Sequence, residues 1–198
     1  GLFFVFTNSL TFHLFKKVDL NNIYINGADF ITVNDITENS SLQLPKKLIF
    51  IKTKLIEKEL KQNISLRQIL ITRQIFPFGL VINIKTRTPV AFAEKEEYGK
   101  EIKGFIDKDG VFIKENYVPE KENLNFPIKI SGWEKDYKNL ISLILKAYKG
   151  TDDLEAIKIN SEGFIILEEK FLQKVFFGFK TQEIKEKLNL IFDIKEQL

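Results

Sequence analysis

The sequence contains no cysteine and only one histidine, His13, among its 198 residues. Without cysteine the chain cannot form disulfides, thiolate metal sites or a cysteine nucleophile. A single histidine cannot build a multi-histidine metal site, and the apolar neighbours of His13 argue against a place in a catalytic triad. The glycines are scattered singly, so a glycine-rich phosphate-binding loop is missing as well. We therefore expect no catalytic activity and no bound metal, nucleotide or other cofactor.

An excess of charge of one sign is also missing. The chain has 30 basic and 27 acidic residues, interspersed along its length, and a net charge of +3. A nucleic-acid-binding protein would more often cluster its basic residues on one side. We therefore expect no nucleic acid as a partner, and the lack of catalytic motifs leads us to expect no small-molecule substrate either. The 19 phenylalanines follow alternating or helical patterns, which favours core packing over base stacking.

Long hydrophobic runs are absent except near the N-terminus. Residues 1–15 are rich in Leu and Phe, although polar residues such as Asn8, Ser9 and Thr11 interrupt them, and Lys16 and Lys17 follow directly. A membrane-spanning helix needs about 20 apolar residues, and lysines can anchor its end at the interface. The chain also contains no methionine, so a native start residue is missing unless processing removed it. We expect residues 1–15 to be the C-terminal part of a truncated transmembrane anchor, with a buried helix as the alternative.

Hydrophobic periodicity predicts a βααββ domain over residues 18–89. Alternating apolar residues indicate three strands, and Pro77 with Gly79 turns the last two into a hairpin. Thr32 and Asp35 predict a capping box at the start of a short helix over residues 33–39. Such a sheet with two helices on one face is a complete small α+β domain. The second predicted helix has apolar residues on one side, namely Ile51, Leu55, Ile56 and Leu60. The predicted core residues are Ile23, Ile25, Leu55, Leu60, Ile71 and Ile82.

Residues 90–198 predict a second domain of mixed α/β content with a mainly antiparallel sheet. The apolar positions from Trp133 to Tyr148 predict a helix, and Gly150 ends it. Thr181 is predicted to cap a closing helix. The apolar face of that helix is predicted to contain Ile184, Leu188, Ile191 and Ile194. Strands are predicted over residues 90–93, 102–106, 111–113, 154–159, 164–167 and 171–177.

The acidic residues of the second domain are the remaining candidates for chemistry. Glu94–Glu97 and Glu168–Glu169 adjoin lysines in predicted hairpins, which is typical of solvated charges near turns. Asp107 and Asp109 offer too few oxygen ligands for a metal, and turn chemistry accounts for Asp109-Gly110. A small periplasmic hydrolase would require two carboxylates converging in a deep pocket.

Several motifs of the first domain occur in the order found in one family. They are the I-x-V-x-G-type strand Ile23–Gly27, Arg73 before Phe76-Pro77, the alternating strand at Leu80, Ile82 and Ile84, and the exit Pro89-Val90-Ala91. In these features the domain resembles the POTRA domain of the FtsQ/DivIB family of bacterial cell-division proteins. One departure is Thr86, where the family usually has glutamate.

The second domain resembles the β domain of the same family. The matching motifs are the hairpin Ile106–Phe112, the helix entry between Pro127 and Gly132, and the strand end Val175–Gly178. The resemblance implies a non-catalytic bitopic scaffold of the divisome, with both domains outside the bacterial cytoplasmic membrane at the septum. It also implies FtsB- and FtsL-like partners. The alternative is a POTRA module of an outer-membrane translocation system, although those proteins usually repeat the POTRA unit.

The family resemblance also implies a partner site. In the family one more strand follows the last helix, and the partner is received there by β-addition. Since no such strand is visible before Leu198, we expect the C-terminus to be truncated and the strand near residues 171–177 to be a sheet edge. We also expect weak or no partner binding by this fragment. The candidate partner-binding residues are Lys174, Val175, Phe176, Phe177, Gly178 and Phe179.

Overall fold

A computed structural model describes residues 14–118, 126–180 and 183–197. The chain divides into two compact units, with Arg87 as the last residue of the first and Thr88 as the first of the second. The expected anchor falls mostly on residues 1–13, which lie outside the described residues. Within the described part, no helix is both long and apolar enough to cross a membrane.

The sheet of the first unit follows the predicted βααββ order. Its strands are β2 (Ile23–Asn26), β4 (Gln68–Ile75) and β5 (Phe78–Lys85), with β5 in the middle. β2 runs parallel to β5, and β4 runs antiparallel to it. A separate pair of two-residue strands joins β1 (Lys17–Val18) to β3 (Lys46–Lys47), which the sequence pattern did not predict.

The helices of the first unit are α1 (Val33–Glu38) and α2 (Thr53–Asn63). The predicted capping box of α1 is confirmed, because the Thr32 hydroxyl accepts from the amide of Asp35 and the Asp35 carboxylate accepts from the amide of Thr32. The prediction that Leu55 lies in the core is wrong, since 43% of its surface is exposed. Ile56 and Leu60 form the buried side of α2, and Leu55 lies about 100° around the helix from Ile56.

The core of the first unit forms between this sheet and the helical segments. Ile23, Leu60, Ile71 and Ile82 are buried as predicted, whereas Ile25 is only half-buried. Burial of each large aliphatic side chain contributes about 1.5–3 kcal/mol. Further residues of this core that are almost completely buried are Ile36, Leu48, Ile51, Ile64, Leu66 and Leu80.

The second unit contains a seven-stranded sheet in the order β12-β11-β10-β9-β6-β7-β8. Its pairs are antiparallel except that β9 runs parallel to both β6 and β10. The fold is therefore α+β with mainly antiparallel pairing, as predicted. The strands are β6 (Pro89–Glu97), β7 (Lys100–Asp107), β8 (Phe112–Lys114), β9 (Lys129–Ser131), β10 (Leu154–Ile159), β11 (Phe164–Glu169) and β12 (Gln173–Phe179).

Helix α3 (Lys138–Ala147) begins later than the pattern predicted. Trp133 lies before it, in the turn that follows β9, where its indole N–H donates to the carbonyl of Gly110 at 3.0 Å. The Trp133 ring also lies 5.3 Å from the ring of Phe112. These contacts fix Trp133 as a core aromatic of the turn. The predicted apolar face of the helix is confirmed, since Leu140, Ile141, Ile144, Leu145 and Tyr148 are all buried.

Helix α4 (Ile184–Glu196) packs on the same core, with Leu188 and Ile191 buried. Its N-cap is Glu183, whereas Thr181, the predicted cap, lies outside the described residues. Ile194 was predicted to face the core but is 42% exposed. The inward position one turn beyond Ile191 belongs to Lys195, and Ile194 lies about 100° around the helix from it.

Candidate partner-binding edge

All six candidate residues lie on β12, which is an outer strand of the seven-stranded sheet among the described residues. β12 pairs antiparallel with β11, with Glu168 opposite Lys174 and Leu167 opposite Val175. The other side of β12 has no strand next to it in the part of the chain that the structure describes. An outer strand presents backbone amide and carbonyl groups that can pair with an added strand.

The side chains of β12 divide between the two faces of the sheet. Val175 and Phe177 pack against the core that α3 and α4 cover. Phe176 and Phe179 are 69% and 53% exposed, and both contact Phe164 of β11, with ring centroids 6.4 Å and 5.3 Å away. We call Phe164, Phe176 and Phe179 the edge aromatic cluster. It places apolar surface in water beside the open strand, where an added strand could cover it.

A β-bulge limits the open part of the edge. Ile165 is opposite Gly178 but Ile166 is opposite Phe176, so Phe177 is an extra residue of β12. Gly178 takes a positive φ of 85° there. The ammonium of Lys187 on α4 donates to the carbonyl of Phe177 at 3.1 Å. Regular pairing is therefore restricted to the segment Gln173–Phe176, because bulges interrupt the ladder.

The charged residues next to the edge are arranged across three strands. Lys174 is exposed and lies opposite Glu168, whose carboxylate is bound to Lys158 at 2.6 Å. Because Lys158 is half exposed, this ion pair contributes at most about 1 kcal/mol. A lysine such as Lys174 also discourages non-specific pairing of an outer strand.

Glu169 differs from the solvated turn charge that the sequence predicted. It is 2% exposed and faces the helices, where the hydroxyl of Tyr148 donates to its Oε1. Its Oε2 lies 3.5 Å from the ammonium of Lys195. Burial raises the pKa of the Glu169 carboxyl, and the nearby Lys195 charge offsets part of that rise. A carboxylate that is removed from water needs such a partner, because an unpaired buried charge is costly.

Lys195 is the centre of a group that the sequence analysis missed. Its ammonium lies 2.5 Å from Asp153 and over the rings of Tyr148 and Phe192, at 5.4 Å and 5.5 Å from their centroids. We call Tyr148, Asp153, Glu169, Phe192 and Lys195 the C-terminal cluster. It fixes the last turn of α4 to the end of the sheet where β12 begins. The sequence did contain one indication of this group, because Lys195 lies one turn beyond Ile191 on the apolar side of the helix.

The other acidic candidates for which contacts are seen bind groups within their own turn or strand. Asp107 is buried, and its Oδ1 accepts from the amides of Asp109 and Val111, both at 2.9 Å, which is the turn geometry that the sequence indicated. Glu97 binds Lys95 at 2.5 Å, and this hydrogen bond lowers the pKa of the Glu97 carboxyl. In the described ranges, no three acidic or histidine side chains are grouped closely enough to hold a metal ion.

The family comparison concerns the first unit. The model of the FtsQ-type POTRA domain matches residues 18–87, the segment that contains β2, α1, α2, β4 and β5. No curated protein matches the chain significantly. POTRA domains are typically protein-interaction modules without catalytic activity. The chain therefore carries an FtsQ-type POTRA domain at residues 18–87.

Proposed function

We propose that this protein is a non-catalytic scaffold of the bacterial divisome that links early and late division proteins at the septum. The FtsQ-type POTRA domain supports a role in division and in protein–protein interaction. In this proposal an N-terminal helix anchors the chain in the cytoplasmic membrane. A POTRA domain over residues 18–89 and a β domain over residues 90–198 lie on the extracytoplasmic side, and the partners are FtsB- and FtsL-like bitopic proteins.

The observation that carries the proposal is the open edge of β12 beside the edge aromatic cluster. In strand addition, backbone hydrogen bonds supply affinity and alternating side chains supply specificity. Lys174, Val175 and Phe176 would pair with the partner strand. Apolar partner side chains on the helix-free face would cover the exposed rings of Phe176 and Phe179.

The bulge sets the limit of the docking segment. Because Lys187 already binds the carbonyl of Phe177, a partner strand would leave the ladder at this point. The partner strand would then not pair with Phe177, Gly178 and Phe179. These residues would form the end of the docking segment and make apolar contacts with the partner. The expected footprint is a strand of about four residues, short enough for the reversible association of a regulated assembly.

The test is a titration of the C-terminal segment of the FtsB-like protein from the same genome against the wild-type chain and two variants. Phe176→Lys places a charge at the end of the docking segment and within the edge aromatic cluster, and we expect its Kd to rise at least about tenfold. Phe50→Lys makes the same change at an exposed phenylalanine of the first unit and serves as the control. Both side chains are mostly in water, so both variants should fold.

Unchanged fluorescence of Trp133, the only tryptophan of the chain, would show that the second unit is intact in each variant. Equal affinities of the wild-type chain and the Phe176→Lys variant would refute the edge of β12 as the partner site. Absence of binding to all three chains would agree with the weak or absent binding expected of this fragment, and the same titration would then be made with a chain extended at its C-terminus.

A further inference from the structure

The POTRA sheet has an outer strand of its own, β4, which is eight residues long. Its residues alternate, with Ile69 and Ile71 buried and Leu70 exposed on the opposite face. A long outer strand with exposed apolar residues readily pairs with other chains unless something blocks it. The contacts of β4 therefore decide whether this edge accepts a strand.

Glu57 of α2 binds the centre of β4. The amide of Ile71 donates to its Oε1 at 2.9 Å. Its Oε2 lies 2.8 Å from the ammonium of Lys54. The Glu57 side chain is only 12% exposed, whereas that of Lys54 is 79% exposed, so the amide contact is the better shielded of the two. The carboxylate oxygen takes a position on the Ile71 amide that a carbonyl of an added strand would need.

Arg73, two residues along β4, makes a second link to the helical layer. Its guanidinium donates to the carbonyl of Ile51, just before α2, at 2.5 Å. Ile71 is bound through its backbone amide and Arg73 through its side chain. The two contacts hold α2 and Ile51, just before it, against β4 at positions two residues apart.

We propose that Glu57 blocks strand addition at the POTRA edge. Its carboxylate satisfies the Ile71 amide, so an incoming strand would have to displace a charged hydrogen bond before it could pair. Hydrogen bonds to charged groups are roughly twice as strong as neutral ones, which favours the closed edge. The blocked state concerns the POTRA sheet alone and does not depend on whether β12 binds a division protein.

Three variants of the whole chain test this role. Glu57→Ala removes the acceptor, and Glu57→Gln keeps a carbonyl oxygen that can accept from the same amide. Glu59→Ala is the matched control, because Glu59 lies on the same helix and binds the amide of Ser41 at 2.7 Å, away from the strand edge. The measurements are hydrogen exchange of the Ile71 amide and mass against protein concentration by analytical ultracentrifugation.

For Glu57→Ala we expect exchange at Ile71 to accelerate about tenfold at low concentration, as the loss of one hydrogen bond implies. We also expect its mass to increase with concentration, as strands of two copies pair. Glu57→Gln and Glu59→Ala should keep the mass of the wild-type chain. Adding Leu70→Lys to Glu57→Ala should reverse the association, because it places a charge on the exposed face of β4.

Three results would overturn the proposal. One is unchanged exchange at Ile71 in Glu57→Ala. Another is a Glu57→Ala variant that keeps its fold, by circular dichroism, and the wild-type mass at every concentration. Association of Glu59→Ala to the same extent would also overturn it, since general destabilisation would then account for the effect.

Discussion

Lys195 and Asp153 form an ion pair 2.5 Å long between the last turn of α4 and the residue that precedes β10. Glu169 and the rings of Tyr148 and Phe192 surround the same ammonium. The pair joins segments that are 42 residues apart in sequence. Helix α4 also supplies Lys187 to the bulge of β12. The C-terminal cluster therefore holds the helix that borders the candidate partner-binding edge.

Replacing Lys195 by methionine should destabilise the second unit by about 2 kcal/mol, because it leaves two carboxylates without their cation. Lys185→Met is the control, as Lys185 is exposed on the same helix, and it should change stability by less than about 0.5 kcal/mol. Urea unfolding followed by Trp133 fluorescence measures both. Equal midpoints for the two variants would contradict the role given to the cluster.

Glu169 should make stability depend on pH. Its pKa is raised above the ordinary value of 4.5. Between pH 4.5 and this higher pKa, the folded state therefore holds a proton that the unfolded state has lost. The contribution of Glu169 to the free energy of unfolding should therefore fall as pH rises from 4.5 to the folded-state pKa, and stay constant above it.

Glu169→Gln imitates the protonated carboxyl and removes this titration. The difference in unfolding free energy, wild type minus variant, should decrease with rising pH over that interval. A difference that is constant, or that increases with pH, would show that burial does not dominate the pKa of Glu169. Asp153 and Lys195 are present in both proteins, so the comparison isolates the change at Glu169.

Local patterns predicted much of this fold. The capping box at Thr32 and Asp35 depends on residues three apart, and the strand at Ile23 follows from alternation, so both were readable from sequence. The predictions for Leu55 and Ile194 were wrong because each lies one residue from a buried position. A single residue turns the helix by about 100°, which is enough to move a side chain from the core into water.

The pairing of strands that are distant in the chain could not be predicted from the sequence. β9 has three residues and inserts parallel between β6 and β10, which no local periodicity indicates. The candidate residues of β12 were placed by family resemblance, whereas the bulge and its contact with Lys187 depend on α4 meeting the strand in space. The C-terminal cluster was missed for the same reason, since its members come from four separate segments.

Two glycines with nearly equal φ angles allow the cost of a left-handed backbone to be measured separately from the cost of a steric clash. Gly110 has φ of 73°, and a Cβ there would lie 2.0 Å from the carbonyl oxygen of Lys138. Gly99 has φ of 72°, and a Cβ there would meet nothing within 4 Å. Gly99→Ala should cost about 1–2 kcal/mol through the left-handed backbone alone.

Gly110→Ala should cost at least about 3 kcal/mol, because the backbone of the turn or of α3 must also shift. Urea unfolding of both variants, followed by circular dichroism, gives the two values. Circular dichroism is preferred because Trp133 binds the carbonyl of Gly110, and its fluorescence would change locally. Similar losses for the two variants would show that the turn accommodates a side chain at Gly110.

Leu55 and Leu60 test how α2 is oriented on the POTRA sheet. Leu60 is fully buried, so Leu60→Ala should cost about 2–5 kcal/mol through the lost transfer energy and the remaining cavity. Leu55→Ala removes the same atoms from the same helix at an exposed position, and should cost less than about 1 kcal/mol. Since the only tryptophan lies in the second unit, amide exchange in β5 is the suitable measure of the first. A larger loss for Leu55→Ala than for Leu60→Ala would mean that α2 presents the opposite side to the sheet. The contact between Glu57 and Ile71 would then be lost as well.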